Sequence, residues 1–256
     1  MSVFTPAPGS APLGRMVRAQ ALLETRLLLR NGEQLVLALV IPLLVLVGVT
    51  EAGDRVDLGA GRRIDVLTPG VLALVVLSTA FTSVAIATGF ERRYGVLKRL
   101  GASPLPRSGL LLGKVGAVLA VETLQVALLC AVATALGWQP QSGLLGAAGV
   151  AVYLLLGTAA FGSLALLMAG VLRAEATLAA ANLVYLLLLV GGGVIVPLSL
   201  YPQAVRGALE LLPSGALAEA LRELLSGQGF PLGHGVVLVL WTALAAVLAL
   251  RFFRWE

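Results

Sequence analysis

Two polar side chains interrupt the apolar run 109–136: Glu122 near its middle, and Gln125 almost one turn later. A carboxyl in such a setting can do three things. It can hold the cationic group of a ligand, carry a proton, or bond a neighbouring helix while protonated. A third polar residue, Asn182, lies in another apolar run, 177–198. Glu122, Gln125 and Asn182 are therefore the candidates for a path through the apolar part of the chain. Thr123, Thr134 and Thr158 are cheaper, because a threonine hydroxyl can bond back to its own helix.

Other chemistry is excluded by residue type and spacing. Gly109, Gly113 and Lys114 look like a phosphate-binding loop. However, three residues rather than four separate the glycines, Val115 stands where Ser or Thr belongs, and the segment opens an apolar run. ATP binding by this chain is rejected, and the two glycines suit close helix packing instead. One cysteine, Cys130, and one histidine, His234, allow neither an internal disulfide nor a usual metal set. Cys130 reads as a small packing residue and His234 as interfacial. An intramembrane serine protease would need a nucleophile beside a histidine at membrane depth, and no GxSxG-like partner for His234 exists. Trp138, Trp241 and Trp255 do not cluster, and Trp138 and Trp255 fall near expected membrane interfaces.

The elements that must position these residues follow from composition. The chain has 256 residues, 59% of them hydrophobic and 12% charged, with a mean hydropathy of +0.98. A soluble domain carries about 25% charged residues, so a water-soluble enzyme, a disordered chain and a coiled coil are all excluded. The 30 glycines suit close-packed membrane helices. The net charge of +5 reads as positive-inside anchoring rather than nucleic-acid binding.

Six runs approach the ~20 residues a membrane-crossing helix needs: 34–50, 68–90, 109–136, 143–172, 177–198 and 233–250. With the N-terminus in the cytoplasm, the inside segments hold 13 of the 18 Lys and Arg and the outside loops 5. That bias places both termini inside. The expected fold is all-α and integral to the membrane. Residues 1–14, with Pro6, Pro8 and Pro12, read as a disordered tail without a cleavable signal, and 15–256 as a single domain.

The connections carry their own signals. Residues 15–31 read as an amphipathic helix with Arg15, Arg18, Arg26 and Arg30 on one arc, lying on the cytoplasmic leaflet or extending the first span; Leu22, Leu29 and Glu24 spoil the separation. Residues 51–67 suggest a short outside β-hairpin, with Val56 and Leu58 paired to Ile64 and Val66 about Gly59-Ala60-Gly61. Glu91 to Leu100 reads as one short cytosolic helix stopped by Gly101, with Phe90, Tyr94 and Leu97 on a single face. Gly191-Gly192-Gly193 before Pro197 suggests a bend or close contact. Beyond it, two short outer helices fit 202–212 and 214–226, broken by Pro213 and with Ser214 as an N-cap. Leu217, Leu221, Leu224 and Leu225 give the second an apolar face, and Glu219, Arg222 and Glu223 a polar one. Such a pair must dip into the outer leaflet or cap the bundle under cover of protein.

Taken in order, these segments resemble the type 2 permease subunits of ATP-binding-cassette exporters, the drug, polysaccharide and nodulation-factor group. The likeness covers nearly the whole chain. It rests on the helix before the first span, on ERRYGVLKRLGASPLPR between the second and third, and on GGGVIVPLSLYPQAVRGALELLPSGALAEALREL near the end. The resemblance implies six transmembrane helices with an N-terminal interfacial helix, a cytoplasmic coupling helix and short outer re-entrant helices between spans five and six. It implies a coupling segment made of Glu91, Arg92, Arg93, Tyr94, Gly95, Leu97, Lys98, Arg99 and Leu100, with Tyr94 and Leu97 as anchors and the cations as a rim. It places Pro197, Tyr201, Pro213, Glu219 and Arg222 at an outer gate.

The implied partners are two cytoplasmic ATPase subunits, a second permease copy (identical or not) and membrane lipid, with no nucleic acid. ATP and magnesium would sit on the ATPase, with no cofactor on this chain. The implied location is the bacterial cytoplasmic membrane, and the implied substrate is amphipathic or hydrophobic. The competing reading is a proton-coupled secondary transporter using Glu122, although no internal repeat of the kind such carriers show is visible.

Overall fold

The computed structural model describes residues 11–30, 32–51 and 61–253, all helix and connecting turns with no strand among them. Helix α1 (Leu13–Arg30) precedes α2 (Gly32–Glu51). The next helix runs unbroken from Arg63 to Arg93, as α3 (Arg63–Val76), a π-helical stretch (Leu77–Ser83) and α4 (Val84–Arg93). Then follow α5 (Val96–Gly101), α6 (Arg107–Ala135), α7 (Leu144–Val171), α8 (Ala174–Gly191), a 3-10 turn (Leu198–Leu200), α9 (Gln203–Glu210), α10 (Pro213–Leu225) and α11 (Leu232–Phe252).

Five helices among the described residues are long and apolar enough to cross a membrane: Arg63–Arg93, Ser108–Ala135, Leu144–Val171, Ala174–Gly191 and Leu232–Phe252. The first expected span coincides with α2, whose apolar part Ala38–Glu51 is shorter. The central helix is buried on nearly all sides, with Leu67, Leu72, Leu74, Leu77 and Phe81 closed to solvent. By contrast, α8 and α11 bury only a stripe and expose Leu183, Leu186 and Leu187, and Val236, Leu240 and Leu244. Apolar residues facing outward on this scale suit lipid rather than water.

Glycines set how closely the helices pack. A Cβ on Gly113 would stand 2.6 Å from Gln20 Cγ, and one on Gly116 3.4 Å from the Ala21 Cβ. Gly113 and Gly116 therefore let α1 lie along α6, whereas a Cβ on Gly109, the other glycine of the expected pair, would first meet Leu105 and only then Leu13 of α1, at 3.5 Å.

Several expectations are corrected. Of the proposed hairpin, 52–60 falls outside the described residues, and Ile64 and Val66 lie in the first turns of α3 rather than on a strand. The core claims Ile64, which is 3% exposed, so tertiary packing overrides the weak alternation. The fifth span ends at Gly191, short of 198, because Gly193 takes φ +62° and turns the chain into a loop. Residues 1–10 of the proposed tail lie outside the described residues, and helix already begins at Leu13. Trp138, just past the end of α6, is 7% exposed and packs in the core; Trp255 lies outside the described residues. Cys130 packs partly buried against the core.

Candidate functional site

At the end of the bundle where α4 stops, the expected single helix over Glu91–Leu100 is two. Gly95 adopts φ +66°, a conformation glycine takes without strain. It closes α4 at Tyr94 and starts α5 at Val96. Arg99 Nη2 donates to Tyr94 O at 2.8 Å, satisfying a carbonyl at the end of α4. The chain thus makes a tight helical corner instead of a presented rod.

The corner's side chains divide between inward and outward roles. Glu91 turns inward and accepts from Lys114 Nζ at 2.8 Å, and the same ammonium reaches Glu24 Oε2 at 3.4 Å. Glu24 also accepts from Gln20 Nε2 at 3.0 Å. Glu24, Lys114 and Glu91 therefore tie α1, α6 and α4 together. Arg92 Nη1 donates to Ala169 O in the last turn of α7 at 2.5 Å, and Arg93 pairs with Glu175 in the first turn of α8. Both place charge where the helix dipole favours it. Leu97 is 7% exposed, whereas Tyr94 is 62% exposed, stacked on Phe90 with ring centroids 6.1 Å apart. Of the two expected anchors, Tyr94 is presented and Leu97 is spent inside the chain.

The pairing of Glu24 with Lys114 was missed in the sequence because Glu24 looked like a flaw in an amphipathic pattern. In fact Gln20 and Glu24 are the buried residues of α1, while Leu22, Leu23, Leu27 and Leu29 face outward. The signal that could have found it was a lone acid on the helix preceding a lone intrahelical lysine.

Deeper in the bundle, Glu122 and Gln125 are both buried, at 5% and 2% exposure. Gln125 Oε1 accepts from Thr79 of the π-helical stretch at 2.8 Å; such stretches recur at functional positions. Thr158 Oγ1 lies 2.6 Å from Glu122 Oε2 and 2.8 Å from Leu154 O. A hydroxyl has one proton, so it serves an ionised carboxylate by donating to it. It serves a neutral carboxyl by accepting from it while donating to Leu154 O. Glu122 Oε1 and Gln125 Nε2 are buried without a hydrogen-bond partner. Asn182 does not join them; it is exposed and spends its amide on Leu178 O of its own helix at 3.0 Å.

At the opposite end, α10 is covered on most sides, with Leu217, Leu221 and Leu224 buried against the bundle. This is the protein cover expected for the short helix. Its polar face is also used inside. Arg222 Nη1 donates to Glu219 Oε1 at 2.7 Å and Nη2 to Val194 O at 3.0 Å, while Glu219 accepts the Leu198 backbone N–H at 3.0 Å. Burial pushes the Arg222 guanidinium down from its usual pKa, and the Glu219 carboxylate opposes that fall.

Neighbouring groups complete the knot. Arg206 bonds Leu198 O at 3.0 Å, Tyr201 Oη donates to Val190 O at 2.5 Å, and Trp241 Nε1 donates to Leu211 O at 2.8 Å. Pro197 opens the 3-10 turn and Pro213 is the first residue of α10, where a missing N–H costs nothing. The N-cap is Leu212, not Ser214, whose hydroxyl is buried without a partner. Glu223 reaches the other way, to His234 Nε2 at 3.2 Å. The expected gate residues Pro197, Tyr201, Pro213, Glu219 and Arg222 thus belong to one connected structure.

Apolar helices of spanning length, with buried polar groups among them, define a multi-pass membrane protein. A family model described as ABC-2 type transporter matches residues 19–225, and the chain belongs to that family. It is the transmembrane part of an ABC transporter and not the ATPase, and the family implies an ABC ATPase partner. No curated protein matches the chain.

Proposed function

We propose that the chain is the permease subunit of an ATP-driven exporter that moves an amphipathic or hydrophobic substrate out of the cytoplasm of a bacterium. The α1, α5 end faces the cytoplasm, α2 and the five longer helices make six spans, and α9 and α10 re-enter from outside. A second permease copy, identical or not, completes the path, and one ATPase subunit docks beneath each copy, carrying ATP and magnesium.

The observation that carries this reading is the corner at Gly95. It holds the exposed Tyr94 on a segment where Arg93, Lys98 and Arg99 are exposed as well. Aromatic anchors within a charged rim are what a protein partner grips.

A gentle detergent pull-down with mass spectrometry tests it. An ABC ATPase in stoichiometric amount is expected with the wild-type chain and is expected to be lost with Tyr94→Ala. Where the complex survives, Tyr94→Ala should hydrolyse ATP without export. An intact preparation that carries no ATPase overturns the reading in favour of proton-driven transport through Glu122. The Thr158 hydroxyl, able to serve either form of that carboxyl, supports this second reading.

A further inference from the structure

A groove of about 260 Å³ runs between α6 and α7, with Ala80 and Val84 of the central helix at its base. Its wall extends from Leu111 to Leu119 on α6 and from Leu155 to Leu166 on α7. At 1.5 Å per residue those stretches are about 12 Å and about 16 Å long. The two helices run in opposite directions. Lys114 and Leu166 share a small cavity at one end, and Thr158 meets Glu122 toward the other. Small residues hollow the groove, with Ala159, Gly162 and Ser163 on α7. A Cβ on Gly162 would meet nothing within 4 Å. Val115 and Leu155 are 47% and 52% exposed, so the groove opens sideways from two helices of spanning length.

Its length is that of one leaflet. The hydrocarbon core is about 30 Å thick, so an acyl chain of either leaflet reaches about 15 Å. The lining is apolar except for three side chains. Thr158 spends its hydroxyl on Glu122 and Leu154. The other two lie toward the Leu166 end. Lys114 Nζ bonds Glu91 and Glu24, and an ammonium has three hydrogens, so one is left to give. The Ser163 hydroxyl meets no partner among the described residues. Two carboxylates already answer the charge of Lys114, so an anion finds no surplus cation here and a neutral acceptor suits better. A phospholipid ester is such an acceptor, and it stands at the head of an apolar chain of the right length.

We propose that this groove holds one acyl chain of a membrane phospholipid, its ester at Lys114 and Ser163 and its methyl end at Leu119 and Leu155. The proposal goes beyond the exporter reading and borrows from it only the leaflet, which is the cytoplasmic one.

The test is photolabelling of the full chain in lipid nanodiscs that contain a trace of diazirine-bearing phosphatidylcholine. One preparation carries the diazirine near the ester and another near the methyl end of an acyl chain. Labelled peptides are mapped by mass spectrometry. The ester-side probe is expected to mark the surroundings of Lys114 and Leu166, and the methyl-end probe those of Leu119 and Leu155. Each should exceed by about fivefold the labelling of Leu183, Leu186 and Leu187, which face outward on α8. Gly162→Leu and Ala159→Leu would fill the groove. Both should bring its labelling down to the α8 level while α8 stays unchanged. Both variants are first checked for wild-type melting, and if either melts early the two-probe pattern in the wild-type chain decides alone. Groove labelling no higher than that of α8 overturns the proposal, as does the same pattern from both probes. So does unchanged labelling in the well-folded variants. The assay needs no ATPase, so its failure beside a successful pull-down rejects the lipid site and leaves the permease reading standing. Its success beside a failed pull-down does the reverse.

Discussion

Gly70 of α3 and Val194 of the loop after α8 meet backbone to backbone. A Cβ on Gly70 would overlap the Val194 carbonyl oxygen and stand 2.9 Å from Arg222 Nη2. In an exposed helix, alanine would be favoured over glycine by about 1 kcal/mol. Here the overlap is with backbone that Arg222 and Glu219 already fix, so neither side can yield cheaply. Gly70→Ala should therefore destabilise the protein by about 1–3 kcal/mol, the usual cost of overpacking. Gly162→Ala, with open space around its Cβ, is the control and should show no such loss. Unfolding by SDS titration in mixed micelles compares the two.

Arg222 is held between Glu219 Oε1 and Val194 O. Its removal strands a carboxylate that also carries the Leu198 N–H. Breaking one partner of such a buried pair costs about 3–5 kcal/mol, so Arg222→Met should sit at the severe end of any melting series. Arg222→Lys should recover only part, because an ammonium lacks the planar fork that serves a carboxylate and a carbonyl together. Limited proteolysis in the 194–201 loop gives a second readout, and cleavage should accelerate in Arg222→Met.

Apolar runs long enough to cross a membrane were legible because length and composition alone decide them. Helix α1 was legible from the arc of its arginines, and the α9–α10 pair and the bend after Gly191 from Pro and Gly signals, whereas the capping signal at Ser214 misled. The corner at Gly95 was not, because one glycine between good helix formers reads equally as an interruption or as part of a helix; only its φ of +66° decides. The hairpin reading failed because alternation over a few residues is weak against a core that needs Ile64. The inward turn of Glu24, Glu91, Glu219 and Arg222 was mostly hidden. Glu24 and Glu91 meet Lys114 of another element, and Glu219 and Arg222, besides pairing with each other three residues apart, bond the backbone at 194 and 198; only the pairing within α10 leaves a local trace in the sequence.

Lys114 joins Glu91 at 2.8 Å and Glu24 at 3.4 Å, with all three side chains mostly covered. Lys114→Met would leave two carboxyls facing each other in a poorly solvated place. A loss of about 3–5 kcal/mol is expected for the single change. Adding Glu24→Gln and Glu91→Gln should restore most of it, since the residues left are neutral and of similar volume. The difference between the triple variant and the sum of the singles measures the coupling among α1, α4 and α6. Additive effects would mean that the three charges act independently.

Tyr94 and Leu97 share a corner but should answer differently to truncation. Tyr94 is 62% exposed, touching Phe90 by ring stacking and lying 5.8 Å from the Arg93 guanidinium carbon, so Tyr94→Ala should cost the isolated chain under about 1 kcal/mol, the range of exposed aromatic contacts. Leu97 is 7% exposed and lines a small cavity with Glu24, Lys114 and Leu110. Leu97→Ala should cost about 2–5 kcal/mol, as buried leucines do. Loss of an ATPase partner in Tyr94→Ala at unchanged melting temperature would report a docking contact. The same loss in Leu97→Ala with lowered melting would report only a collapsed corner. Melting curves and pull-downs on both variants separate a surface that a partner touches from the packing that holds it in place, and equal destabilisation by the two would refute the division.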